Sequence, residues 1–318
     1  MNHRNRKNFP SFQCKAVVLA IAMAFNLPAL AADEDDEIRR LIKPESTISL
    51  GMGHVSGDNQ RFGMYNGLNE AGYVGLIDFS VVRRDDETGT WFRALGRNLG
   101  LDNREFGLEV ERQGSWGASF NYDEITRHSP YTVYTNNRGI DSTRQTIPST
   151  SGNANVAAGS TPYSLKTERH KATFGLNATL MSNLEFRLVF QNEKKEGQRL
   201  FGRGTPSVQE FLAEPIDYTT KQFDAVLDYT GESLQLSGGY YGSFFNNNNS
   251  ALMVNGGNSA FIGGPLDTNA RRTGVAMDNI ALPPDNHAHQ FHLAGGYQFT
   301  KSTRMNFKVA KSIAIQDE

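Results

Sequence analysis

Apolar and polar residues alternate with a period of two along much of this chain, and convincing helical periodicity is rare. The clearest example places Leu184, Phe186, Leu188 and Phe190 on one side, with mostly polar residues between them. Successive side chains of a β-strand point to opposite faces, so this pattern predicts strands with one apolar and one polar face. We predict eleven such strands, at residues 46–55, 72–83, 90–98, 104–112, 115–124, 164–180, 184–196, 217–230, 232–245, 288–300 and 302–315.

The links between these strands alternate in length from residue 112 onward. Tight turns and longer links follow one another in the order 113–114, 125–163, 181–183, 197–216, 231, 246–287 and 301. A soluble β-sandwich would show the same side-chain alternation, but it has no reason to sort its loops in this way. Outer-membrane barrels have short periplasmic turns and long extracellular loops. The sequence therefore predicts an all-β, antiparallel up-and-down transmembrane β-barrel with its N-terminus in the periplasm.

The number of predicted strands is odd, whereas a bacterial single-chain barrel normally has an even number. The sequence stops at Gln316-Asp317-Glu318 without an aromatic last residue. An unpaired strand edge in lipid costs several kcal/mol for each orphaned backbone group. We therefore expect residues 46–318 to be the incomplete, N-terminal part of a larger outer-membrane β-barrel.

The first residues have the order of a secretory signal peptide. Basic residues precede an unbroken apolar run, Ala16 to Phe25, and Ala29-Leu30-Ala31 follows with small residues at the two cleavage-determining positions. The run is too short to cross a bilayer as a helix. Its length therefore favours a cleaved signal peptide over the alternative, an inner-membrane anchor. We predict a signal peptide at 1–31, a periplasmic N-terminal segment at 32–45, and a bacterial outer-membrane location.

Composition restricts the chemistry of the mature chain. Its only cysteine, Cys14, lies in the predicted signal peptide. The mature chain can therefore form no disulfide, no iron–sulfur cluster and no thioether bond to a haem. Lys and Arg number 32 against 34 Asp and Glu, so no overall positive field indicates a nucleic-acid partner. Hydrophobic residues are 38% of the chain, which suits strands with one apolar face better than a single compact core.

A set of motifs between residues 57 and 134 resembles one known family. The motifs are Gly57-Asp58-Asn59-Gln60-Arg61-Phe62-Gly63, Gly67-Leu68, Arg83-Arg84-Asp85-Asp86, Thr88-Gly89-Thr90-Trp91, Gly96-Arg97-Asn98-Leu99-Gly100-Leu101-Asp102, Arg112-Gln113-Gly114-Ser115-Trp116-Gly117, Tyr122-Asp123-Glu124-Ile125 and Ser129-Pro130-Tyr131-Thr132. Together they resemble the MtrB/PioB-type outer-membrane barrels, the porin part of porin–cytochrome conduits. The dense likeness covers about a quarter of the chain, and the remainder fits by architecture.

This resemblance implies a role in electron transfer. Barrels of this type sheathe a periplasmic multihaem c-type cytochrome, whose haems carry electrons across the outer membrane to or from minerals, Fe(II) or an outer-surface cytochrome. The haem belongs to the partner, so no cofactor is expected in this chain. Barrels of about 16–18 strands leave a channel and about 22 hold a plug, so a sheath needs the wide end of this range. Some members carry Cys-x-x-Cys near the mature N-terminus, which this sequence lacks, so no thiol role is implied.

Few residues suggest a site of their own. Asp285, His287, His289 and His292 resemble a metal cluster, but on a strand His292 would point away from His287 and His289, which favours surface histidines. Gly51-Met52-Gly53 is not followed by a helix, which argues against a nucleotide site. The acidic run 33–37 could touch a basic periplasmic partner, although a solvated tail is the simpler interpretation.

The side chains expected to face the lumen fit either a wet porin wall or a surface matched to a cytochrome, and they are Glu185, Arg187, Gln191, Glu193, Lys221 and Asp224. The leading hypothesis is therefore a non-catalytic sheath, and the alternative is a diffusion porin or a substrate-specific channel. A barrel enzyme is a third possibility, disfavoured because the sequence has no Gly-x-Ser-x-Gly or His-Glu-x-x-His. A neighbouring gene rich in Cys-x-x-Cys-His motifs would favour the sheath.

Overall fold

The structure is a computed structural model that describes residues 46–148, 160–204, 209–257 and 277–317. The predicted signal peptide and the segment 32–45 lie outside the described residues. Among the described residues, no helix has the length and apolarity needed to cross a membrane.

The main element is an antiparallel sheet of eleven strands, each paired with the next of the eleven along the chain. Its strands are β1 (Thr47–Val55), β2 (Gly72–Asp85), β3 (Thr90–Arg97), β4 (Glu105–Arg112), β5 (Trp116–His128), β9 (Lys166–Met181), β10 (Leu184–Gly204), β11 (Gln209–Thr230), β12 (Leu234–Asn247), β15 (Asn286–Thr300) and β16 (Thr303–Gln316). This is the up-and-down order that the alternation and the loop lengths predict, and all eleven predicted strands are confirmed.

Five short strands lie within the two longest links. They are β6 (Val133–Thr135), β7 (Arg144–Ile147), β8 (Thr161–Tyr163), β13 (Ala251–Gly256) and β14 (Met277–Ala281). β6 pairs with β8, whereas β13 pairs with β14 and, in parallel, with β7. The parallel pair joins one long link to the other, so the two links form one folded unit.

The predicted medium loop at 197–216 is wrong, because β10 and β11 continue through it as a paired hairpin as far as Gly204 and Gln209. The glycines and prolines of this stretch resemble loop residues. Pro215 is tolerated in the strand because β12 ends at Asn247, opposite Tyr218, and leaves the next residues of β11 on an open edge. The hairpin therefore extends beyond the strands on either side of it.

The register sorts the side chains of the eleven strands onto two chemically distinct faces. We call the first the apolar face, and its members include Ile48, Leu50, Met52, Ile77, Phe79, Phe92, Leu108, Val110, Trp116, Phe120, Phe174, Leu176, Phe186, Leu188, Phe190, Phe223, Leu227, Leu236, Phe291, Leu293, Met305 and Val309. Many of these are exposed, and Leu50, Met52 and Val309 retain 76%, 77% and 65% of their accessible surface. A continuous apolar surface of this size needs an apolar solvent or a partner.

Candidate functional site

The polar face carries cross-strand ion pairs of both signs. Arg93 lies 3.1 Å from Glu109 and 3.5 Å from Glu111, and Lys171 lies 3.2 Å from Asp123. These side chains are partly exposed, and such pairs contribute at most about 1 kcal/mol each to stability. Their main consequence is a hydrated wall in which positive and negative charges lie side by side.

Amides and aromatic groups continue this wall. Gln191 donates to Gln222 at 3.2 Å, and Gln222 donates to the Tyr241 hydroxyl at 3.0 Å. The guanidinium groups of Arg84 and Arg93 lie 5.4 Å and 5.3 Å from the centre of the Trp91 ring, within cation–π range. Trp91 is thus a broad flat group held between two cations on the polar face.

The predicted lumen set is nearly correct. Glu185, Arg187, Gln191 and Glu193 share the polar face of β10, and Asp224 lies opposite Val189 on the same face. Lys221 is a correction, since it pairs with Asn192 and Phe244 and so lies on the apolar side, towards the hairpin end of the strand. Its separation of three residues from Asp224 puts the two side chains on opposite faces.

Aromatic residues near strand ends could form the interfacial girdles of a barrel, and the candidates are Trp91, Trp116, Tyr122, Tyr229, Tyr241 and Phe299. Of these, Trp91 and Tyr241 lie on the polar face. Trp116, Tyr122 and Tyr229 lie at the ends of the apolar face, where a girdle residue belongs. Alternation alone could have separated these groups, because Trp91 and Tyr241 are out of phase with the apolar residues of their own strands.

The four residues that resemble a metal cluster do not converge. His287 and His289 lie together on the apolar face with ring centres 5.4 Å apart, while His292 pairs with Gly239 on the polar face. Asp285 instead accepts hydrogen bonds from Asn246 and from the backbone of Asn247. The prediction that His292 points away from the other two histidines is confirmed.

A different group could hold a cation by geometry, and sequence spacing did not indicate it. Glu168, His170 and Glu196 offer ligand atoms within 4.8 Å of one another. Lys166 contacts Glu168, and Lys194 lies 2.5 Å from Glu196, so both carboxylates already have a cationic neighbour. Gly51 and Gly53 lie within β1, in agreement with the rejection of a nucleotide site.

The most completely buried part of the described chain is a loop cap built on the β10–β11 extension. We define the loop cap as residues 129–148, 160–165, 197–204, 209–216, 248–257 and 277–285. One core packs against Leu212 and comprises Ile147, Leu252, Val254 and Leu282, with Phe201 and Ile280 at its margin. A second core packs Ile140 and Leu165 against Ala213. Leu212 and Ala213 point to opposite faces of β11, so the long links cover the hairpin from both sides.

Side-chain amides complete the open edge of β11 where no strand reaches. The Gln145 amide nitrogen donates to the Ala213 carbonyl at 2.5 Å, and the Ala213 N–H donates to Gln145 Oε1 at 3.1 Å. Asn137 donates to the Phe211 carbonyl at 2.8 Å. Gln145 is fully buried, so it replaces a neighbouring strand at this point.

Replacing Gln145 with alanine should loosen the loop cap by about 1–3 kcal/mol, because both backbone groups of Ala213 lose their partner in a buried place. Limited proteolysis of the membrane-embedded protein should then cut within residues 129–165 or 248–285 much faster. Gln191→Ala removes an amide of the half-exposed polar face and is the matched control. Equal cleavage rates for the two variants would contradict this role for Gln145.

Ion pairs with at least one buried partner hold the cap as well. Arg203 donates to Glu210 at 2.8 Å, to Asp278 at 3.0 Å and to the Gly256 carbonyl at 3.0 Å. Arg199 binds both oxygens of Glu214 at 2.7 and 2.9 Å. The Arg203 contacts tie the hairpin extension to β13 at Gly256 and to β14 at Asp278.

Tyr218 donates its hydroxyl to Glu214 at 3.1 Å at the base of the cap. The hydrogen bond to Glu214 is the strongest influence on Arg199 and raises the pKa of its guanidinium further above its ordinary value.

A strand meander with an exposed apolar face, a charged opposite face and a cap of long links at one end defines the wall of an outer-membrane β-barrel. The family model of MtrB/PioB outer membrane beta-barrel porins matches residues 54–318, and the chain belongs to this family. It is also similar to outer membrane protein MtrB of Shewanella baltica (strain OS185), with 26% identity over 264 residues. That match covers 79% of this chain and 35% of the relative, so the chain spans about a third of the relative's length.

The family confirms the outer-membrane location and the barrel class. It is a family of porins and not a family of enzymes. Its match also explains the exposed apolar face, because the outer surface of such a barrel lies against lipid while the alternate side chains face the interior.

Proposed function

We propose that this chain forms part of the wall of a barrel that sheathes a periplasmic multihaem c-type cytochrome and so allows electrons to cross the outer membrane. The observation that carries the proposal is the family match along residues 54–318, together with the likeness to a protein named MtrB. The chain has no cysteine after Cys14, so it makes no thioether bond to a haem, and the haems belong to the partner.

The two faces suit a sheath. The apolar face lies against lipid, so the haem protein inside the barrel is surrounded by a medium of low dielectric constant. The polar face supplies paired charges, amides and Trp91 as a lining on which a folded protein surface can rest. Because the ion pairs on this lining are already formed between neighbouring strands, docking does not require the burial of uncompensated charge.

The loop cap belongs to the outer mouth in this proposal. Long links lie outside the cell in barrels of this kind and tight turns lie in the periplasm. Leu212 lies on the same side of β11 as Asp224, so the β7–β13–β14 sheet packs over the lumen side of the hairpin extension. The cap then narrows the mouth next to the place where an outer-surface cytochrome would receive or deliver electrons.

The sidedness has a direct test because residues 15–318 contain no cysteine, so an introduced one is the only thiol in this part of the chain. A cysteine at Asn248, in the cap, should react with a membrane-impermeant maleimide on intact cells. A cysteine at Ser182, in the β9–β10 turn, should react only after the outer membrane is made permeable. The reverse pattern would show that the barrel is inserted the other way round.

Affinity purification from the host tests the partner. A tag on the protein should bring down a haem-staining c-type cytochrome through extraction in mild detergent and washing at high salt. Retention should survive salt, because a partner inside a barrel is held by enclosure as well as by charge. If the barrel is recovered without any haem protein and lets small solutes pass freely, the result would support a diffusion porin instead.

A further inference from the structure

Two imidazole rings lie at the cap end of the apolar face on β15. The ring of His287 stacks against that of Phe244 with centroids 6.3 Å apart and an interplanar angle of 15°. The Tyr240 hydroxyl lies 2.8 Å from Nδ1 of His289, in a hydrogen bond whose donor depends on the tautomer. This bond occupies Nδ1 of His289 and leaves Nε2 for another partner.

One lysine lies on either side of these rings, on β11 beyond β12 and on the adjacent strand β16. Lys221 on β11 lies directly opposite Phe244, and Lys311 on β16 lies directly opposite Phe291, two residues from His289. Both lysines are exposed and share the face of the imidazoles. Lys311 is a diagonal neighbour of His289, about 7–8 Å away at Cβ, whereas Lys221 lies one strand beyond Phe244 and can extend across its ring towards His287. We call His287, His289, Tyr240, Lys221 and Lys311 the rim cluster.

The surroundings of the rim cluster are apolar on one side and polar on the other. Towards the strand middles the same face shows Phe291 and Leu293, which are 53% and 47% exposed. Towards the cap it shows Asn246 and Asp285, which are joined by a 3.0 Å hydrogen bond, while β16 stays apolar at Ile313 and Ile315, opposite His289 and His287. Asp285 also accepts from the backbone N–H of Asn247 at 2.6 Å, so its charge is already engaged. The cluster thus lies where an apolar surface, on β15 and β16, borders a polar one on β12 and beside the cap.

We propose that the rim cluster binds the phosphate group of a membrane lipid. A phosphate accepts several hydrogen bonds and carries negative charge, which fits N–H donors from the two imidazoles and the ammonium group of Lys221, with Lys311 adding positive charge nearby. The acyl chains of the same molecule can lie along Phe291 and Leu293, so headgroup and tail are bound together. A metal ion fits less well, because His292 is on the opposite face and Asp285 is held by the two asparagines.

The lipid is the occupant favoured over free phosphate because the cluster is open on the lipid side. Exposed cations attract a small anion only weakly in water, where screening is strong. An amphiphile gains from the apolar surface as well, at about 25 cal/mol for each Å² that it covers. With the sidedness proposed above, the lipid belongs to the outer leaflet, and the binding itself does not depend on that assignment.

Titration of the detergent-solubilised protein, purified from its host's outer membrane, tests this site. Phosphatidic acid should raise the thermal unfolding midpoint, whereas diacylglycerol with the same chains and inorganic phosphate at equal concentration should not. The double variant His287→Gln/His289→Gln should bind phosphatidic acid about tenfold more weakly, as the loss of about 1.4 kcal/mol of hydrogen bonding requires. Lys221→Gln, which alters an exposed side chain and leaves the ring packing intact, should also weaken binding.

His292→Gln is the control, because this histidine lies on the polar face of the same strand. It should leave the response to phosphatidic acid unchanged. The proposal is overturned if His292→Gln weakens binding as much as the double variant, if diacylglycerol stabilises as well as phosphatidic acid, or if inorganic phosphate alone gives the full shift. Retention of a haem protein is measured separately, so failure of the lipid site leaves the sheath proposal unaffected.

Discussion

Replacing Arg203 with alanine is expected to destabilise the loop cap by about 3–5 kcal/mol, which is the usual cost of removing one partner from a buried ion pair. The side chains of Arg203 and Glu210 are only 9% and 8% exposed. Without the guanidinium, Glu210 keeps its charge in a place that water barely reaches, Asp278 loses its contact, and the Gly256 carbonyl loses a donor.

Hydrogen exchange followed by mass spectrometry measures this effect on residues 209–217. Exchange should accelerate by more than about a hundredfold, because each 1.4 kcal/mol of local stability corresponds to a factor of ten. Arg97→Ala is the matched control, since Arg97 is an exposed arginine 3.8 Å from Glu105 on the polar face. Its removal should change exchange in the cap little. Similar exchange in both variants would show that Arg203 does not hold the cap.

Leu188→Arg is expected to destabilise the folded protein in lipid by about 2–4 kcal/mol if the side chain lies near the bilayer midplane. Leu188 lies between Leu176 and Ala225 on the apolar face. An arginine there must bring its guanidinium into hydrocarbon or bend towards the interface.

The neighbouring substitution Val189→Arg is the control, because the same side chain is introduced one residue further along on the polar face. Val189 lies opposite Asp224, so an arginine gains a carboxylate neighbour and stays in water. Folding titrations in lipid vesicles should show a normal or slightly changed stability for Val189→Arg. A larger loss for Val189→Arg than for Leu188→Arg would invert the assignment of the faces.

The strand meander could be predicted because the physical cause of each strand is local. Lipid on one side and water or protein on the other impose a period of two, and Leu184, Phe186, Leu188 and Phe190 show it directly. The tight turns also follow from local chemistry, as at Gly114, whose φ of 71° lies in the region that glycine favours.

The loop cap could not be predicted in the same way, because its stability depends on contacts between distant segments. Gln145 completes the edge of β11 at Ala213, and Arg203 reaches Asp278 across the chain. Neither contact produces a periodic pattern in the amino-acid sequence. The extension of β10 and β11 was missed because Gly197, Gly202 and Pro215 are typical of loops, whereas covering links on both sides make a strand stable there.

The sequence predicts that one face of the sheet is polar more accurately than it predicts which residues lie on that face. Parity identifies Glu185, Arg187 and Gln191 correctly, and the error at Lys221 came from grouping charged residues without counting alternation. The position of Trp91 between Arg84 and Arg93 depends on strand register, which the sequence does not fix by itself.

Electron transfer into sealed liposomes tests the sheath most directly. The protein is reconstituted with and without its co-purified haem partner around a trapped reducible dye, and an external donor that cannot cross the bilayer is added. The sheath proposal predicts that the dye is reduced only when the haem partner is present, and that the barrel alone transfers no electrons. Reduction by the barrel alone would contradict the account, as would free passage of small solutes by a barrel that never retains a haem protein.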